Sequence, residues 1–141
     1  MGNFNFLLKH KEFEIFAKPA ISAERICVLD PNSSITLCRT SMEGATNWLY
    51  GVEKKLSKLP QNKTLKDLIS ACEFRDLVGE TLYKSLYRLR TNANKAVHQE
   101  KIFNQDCAIA VLNDLFYYLD WIEQTYTEGK KALDVLSKLR F

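Results

Sequence analysis

Residues 30–50 read DPNSSITLCRTSMEGATNWLY. Ile35, Cys38, Met42, Ala45 and Leu49 recur at steps of three and four, the spacing that lines side chains up on one helical face. This is the cleanest amphipathic pattern in the chain. Asp30 suits the N-cap, and Pro31 suits the first helical position, where no backbone N–H is needed. The helix is predicted to end near Tyr50-Gly51, or a turn or two later in KKLSK.

Upstream, Phe13, Phe16, Ala20, Ala23 and Cys27 share one face of a helix predicted from about His10 to Leu29. Pro19 lies inside it and predicts a kink or break. Downstream, LPQNKT reads as a loop, and Thr64 can cap a short helix carrying Leu65, Leu68 and Ile69. A fourth helix is predicted from Gly79-Glu80 to about His98, with Leu82, Leu86, Leu89, Ala93 and Val97 as its buried stripe. Asn104 caps a fifth, and Asp106 adds a negative charge to its first turn. Residues 108–126 are apolar nearly all round, which predicts that this helix lies at the centre. Trp48, Leu115, Leu119 and Trp121 are expected to be largely buried.

No strand alternation and no internal repeat appear, and the five glycines and three prolines fall mostly between segments. The fold class is therefore all-α: a compact bundle of about five antiparallel helices. Leu133 and Leu136 leave room for a short sixth helix. Residues 1–128 are expected to form one helical domain. Residues 129–141 would begin a helical linker into a longer protein, because their pattern stops without a cap or breaker.

With 141 residues, 46% hydrophobic and 26% charged, the composition is that of one soluble globular domain. A net charge of +3 permits contact with nucleic acid without arguing for it. Cys27, Cys38, Cys72 and Cys107 form no CxxC pair, and only two histidines accompany them, so no zinc pattern is present. They read as reduced core residues, which suits a cytoplasmic protein. No basic head precedes an apolar run at the N-terminus, and no apolar stretch approaches the roughly 20 residues of a membrane span. Motifs for nucleotide phosphates, for metalloprotease zinc and for a nucleophile elbow are missing. No metal site and no cofactor is expected in this chain.

The candidate site residues fall into two groups. Arg90, Asn94 and His98 stand one turn apart along a flank of the fourth helix, with Tyr83 and Tyr87 on the same side and Lys84, Arg88 and Lys95 opposite. A guanidinium, an amide and an imidazole in line can bind phosphate, and the imidazole can move protons. Arg39 and Glu43, spaced i, i+4 on the second helix, can form an ion pair. Glu43 can also reach Arg90 or His98 across the bundle. A structural role is expected for the cluster Arg39, Glu43, Arg90, Asn94 and His98, each finding a partner inside the chain, with no catalytic residue among them. The second group is the basic run Lys54, Lys55, Lys58, Lys63 and Lys66, which can touch phosphates or simply be solvated.

Three stretches carry a family resemblance: MGNFNFLLKHKEFEIFAKPAISAE, DPNSSITLCRTSMEGATNWLY and FRDLVGETLYKSLYRLRTNANKAVH. Each resembles a phrase of the N-terminal helical domain of the R (restriction, HsdR) subunit of type I restriction-modification enzymes. In the second, Arg39, Glu43, Trp48, Leu49 and Tyr50 match. In the third, Arg90, Asn94, Ala96, Val97 and His98 match, while Ala93 replaces the family's usual glycine. The resemblance covers about residues 1–128. It implies a non-catalytic assembly or interaction domain whose parent subunit translocates and cleaves DNA, using ATP and Mg²⁺ bound further along. The implied partners are the other subunits of the restriction complex, DNA through the parent enzyme, and a second copy as a homodimer. The domain is also similar to HEPN helical domains, some of which are metal-independent ribonucleases. That likeness implies an alternative in which Arg90, Asn94 and His98 are catalytic.

Overall fold

The computed structural model describes residues 2–56, 63–99 and 101–127. Two 3₁₀ turns, Asn5–Lys9 and Lys11–Phe13, lead into α1 (Glu14–Ile26). There follow α2 (Pro31–Val52), α3 (Leu65–Ser70), α4 (Cys72–Val78), α5 (Glu80–Val97) and α6 (Gln105–Tyr126). The described residues form an all-α bundle of six helices, with no strand among them.

The helix starts follow local chemistry. The Asp30 carboxylate accepts from the Ser33 backbone N–H at 3.1 Å and from the Ser33 hydroxyl at 2.6 Å, with Pro31 as the first residue of α2. Thr64 and Asp67 exchange bonds in a capping box, each at 3.2 Å. The Asn104 side chain accepts from the Cys107 N–H at 2.9 Å.

α2 is the hub, packing on α1, α3, α5 and α6. Its residues Ile35, Cys38, Met42, Ala45 and Leu49 are fully buried, as their spacing requires. Against α1 the approach is close. Ser34 and Ser41 donate to the carbonyls of Ala23 and Phe16 at 2.7 and 2.6 Å. Those two bonds pair later α2 residues with earlier α1 residues, so the helices run antiparallel. A Cβ on Gly44 would stand 3.4 Å from the Phe16 Cβ. On another flank Thr46 and the Tyr118 hydroxyl share a buried bond of 2.8 Å, and Glu53 accepts from the Tyr126 hydroxyl. The offset is nearly constant, so α2 and α6 run parallel, with α5 antiparallel and packed on both.

Several expectations are corrected. The first helix starts at Glu14, because residues 5–13 wind as 3₁₀ turns, and it continues through Pro19 without a break. Proline costs only the N–H that would reach Ile15, and packing of Ala17, Ala20 and Ala23 on α2 holds the turn. α4 escaped the sequence reading; it buries Phe74 and Val78. On α5 the buried stripe is Ser85, Leu86, Leu89, Ala93 and Ala96. Val97 is 37% exposed instead, and Leu82 only partly buried. α6 is not enclosed on all sides: Ile109 and Tyr117 face outward, and the centre belongs to α2. Leu115 and Leu119 are fully buried, whereas Trp48 and Trp121 are partly so. The expected sixth helix lies outside the described residues. No helix among the described residues is long and apolar enough to cross a membrane.

Candidate functional site

Arg39 and Arg90 are half-buried, on α2 and α5, two helices in contact. The Nε of each is shut off from solvent and meets no hydrogen-bond acceptor. The Arg90 guanidinium lies 5.3 Å from the centre of the Tyr87 ring, and Tyr83 and Tyr87 lean together at 6.4 Å. Asn94 is half-buried one turn on.

Helix geometry places the two arginines on one seam. Asn32, Arg39 and Thr46 are seven apart, so they form a single stripe of α2. Asn32 ties this stripe to the α5–α6 connection, accepting from the Phe103 N–H at 2.7 Å and donating to the Lys101 carbonyl at 2.9 Å. Thr46 ties it to α6. Tyr83, Arg90 and Val97 form the matching stripe of α5, and Val97 lines one surface groove with Asn32 and Thr36. Arg39 is therefore two turns in from that groove on α2, and Arg90 two turns in on α5. The helices are antiparallel, so both arginines sit at about the same level, roughly 10 Å from the groove.

The rest of the expected cluster does not assemble. Glu43 is exposed and makes no ion pair or hydrogen bond with Arg39, Arg90 or His98 among the described residues. At the level where it stands, α2 turns its side chain outward to water rather than into the seam. His98 is the C-cap of α5, its backbone N–H bonded to Asn94 and Ala96 carbonyls and its side chain exposed. The expectation that each member finds a partner inside the chain is thus overturned. Arg88, on the opposite face of α5, is exposed and pairs with Asp114 of α6 at 2.9 Å. Lys54, Lys55, Lys63 and Lys66 are exposed, and Lys58 lies outside the described residues.

Sequence reasoning missed other polar links because their partners are far apart along the chain. His10 Nε2 and Glu123 Oε2 stand 3.0 Å apart although separated by 113 residues, with Lys9 Nζ at 3.8 Å from the same oxygen. This nearly buried carboxylate fastens the N-terminal turns to α6. Burial, with the Glu53 carboxylate beside it, pushes the Tyr126 hydroxyl up in pKa. Burial does the same to Tyr118, against the opposing pull of its Thr46 bond. One link was local enough to be legible: Arg75 and Glu80, which join in two bonds of 3.0 and 2.9 Å across the α4–α5 turn. Each holds the other charged, raising the arginine pKa and lowering the glutamate's. Arg75 also covers the Tyr83 ring at 4.3 Å. The chemistry available at the seam is recognition of an anion by two guanidiniums beside the exposed Tyr87 ring and the partly buried Tyr83. Comparison with known proteins finds no matching family model, no matching curated protein and no matching solved structure.

Proposed function

We propose that this chain is a non-catalytic interaction domain from the R subunit of a type I restriction enzyme, acting in the cytoplasm within the restriction complex. On this reading ATP and Mg²⁺ serve the motor and nuclease of the parent subunit, and DNA is engaged through the parent. The resemblance supplies the setting. The observation that carries the role is the pair of half-buried arginines whose Nε groups have no acceptor among the described residues. An unanswered donor in a folded chain calls for an explanation, and a partner's acceptor reaching the half-buried guanidiniums supplies one. His98, the row's candidate for proton transfer, stands exposed at a helix end, with no carboxylate bonded to it among the described residues. Binding is supported by this arrangement, and general acid–base work is not.

The test uses the whole chain and the methylation and specificity subunits of the parent enzyme. Stable co-elution with them, together with no ATP turnover and no DNA or RNA cleavage, is the expected result. Failure to associate would overturn the reading. RNA cleavage abolished by both Arg90→Ala and His98→Ala, with unchanged melting, would replace it with the ribonuclease alternative.

A further inference from the structure

A charged N–H that is buried and unanswered is among the least favourable features a folded chain can keep. The described residues hold two, on adjacent helices, and helical spacing puts them at about the same level of the bundle. The nearby carboxylate does not neutralise them, since Glu43 points to solvent. Along α5 the charge is one-sided: Lys84, Arg88, Arg90 and Lys95 against Glu80, of which Arg88 is already paired with Asp114.

We propose that the α2–α5 seam is a seat for a phosphate group, held by Arg39 and Arg90 together. Guanidiniums match a tetrahedral oxyanion in geometry, each offering two parallel N–H donors. The Asn94 amide, one turn from Arg90, supplies a further donor at the same flank. Tyr87 is 45% exposed beneath Arg90, with Tyr83 beside it, so an aromatic surface adjoins the seat where a base attached to the phosphate can stack. The seat deepens the interaction reading and rests on it for biological setting, while its chemistry stands on the arginines alone.

The experiment titrates the 141-residue chain with inorganic phosphate and with short oligothymidylates, with and without a 5′-phosphate, following binding heat and melting temperature. The variants are Arg39→Met, Arg90→Met and Arg90→Lys. Phosphate is expected to raise the melting temperature, and each methionine variant to weaken binding about tenfold or more. Arg90→Lys should retain part of the affinity, since it keeps the charge and loses the planar fork. Without ligand, both methionine variants should melt at or above the wild-type temperature, because a donor shut off from water and left without an acceptor is gone. Equal affinity for free phosphate and oligonucleotide supports the seat and identifies a free anion as its ligand. Much tighter, salt-sensitive oligonucleotide binding supports the seat and identifies a strand phosphate. The seat is overturned by no response to any phosphate probe, by binding indifferent to all three substitutions, or by preference for a glutamate-rich peptide. A chain that captures the partner subunits but ignores phosphate loses the seat and keeps the interaction role. One that binds phosphate and captures no subunit keeps the seat and loses the restriction setting.

Discussion

Ser41 shows how one small polar residue can set the distance between two helices. Its hydroxyl is buried and bonded to the Phe16 carbonyl, on the stripe where α1 and α2 come closest. Ser41→Ala should cost about 1 kcal/mol, the net worth of one hydrogen bond. Ser41→Val should cost more, about 1–3 kcal/mol, because the added methyls push the backbones apart. Urea unfolding of the three proteins checks the order, and a valine variant as stable as wild type would contradict the close approach. Arg39 and Arg90 teach the opposite lesson. Their places on the helices were readable as flank positions, yet whether each finds a partner depends on what the facing helix presents.

At the scale of elements, caps were legible, and the short helix that lacks one was not. Asp30, Thr64 and Asn104 each bond the backbone three residues on, as their sequence positions imply. The Ser33 hydroxyl and the Ser33 backbone N–H hold the Asp30 carboxyl below its usual pKa. A lowered carboxylate pKa stabilises the fold fully above the unfolded value and is lost as pH falls through the folded value. The stability gap between wild type and Asp30→Ala should therefore be widest near neutral pH and narrow from about pH 4 downward. Denaturation series at several pH values measure it; a gap that widens in acid would contradict the cap. α4 was missed because its N-cap position is Ala71, with no capping side chain to mark the start, whereas Thr64 marks the still shorter α3. α4 joins α5 at Gly79, which has φ +89°. There a side chain meets no clash with neighbours, but the backbone itself resists. Gly79→Ala should cost about 1–2 kcal/mol by calorimetry, and an unchanged melting temperature would show that the turn can relax.

For the whole molecule, burial on α2 should dominate stability. Met42 is fully enclosed on the hub, and Met42→Ala should cost about 2–5 kcal/mol. Ile15, 71% exposed on α1, should tolerate alanine within about 0.5 kcal/mol. Guanidinium unfolding of both variants checks the contrast, and similar losses would mean that α2 is not the centre. The hub role is also why α1 continues through Pro19 without a break. Alanines of α1 pack against α2 along its length, so the missing proline donor is carried by the helix pair rather than by α1 alone.

The sequence by itself determined the helical class, most helix starts, the buried face of α2 and the flank on which Arg90 and Asn94 lie. These depend on spacing and on caps reaching three or four residues, and such information is local. Only the tertiary structure decided that α2 rather than α6 is central, that Ala96 rather than Val97 turns inward, and that Glu43 leaves Arg39 and Arg90 unanswered. Each of these depends on which neighbour covers which side of a helix. Hydrophobicity misleads on α6 because Ile109 and Tyr117 are apolar and still face outward. The links from His10 to Glu123 and from Thr46 to Tyr118 belong to the same class. Nothing in the spacing of residues so far apart in the chain reports that folding will bring them within hydrogen-bond distance.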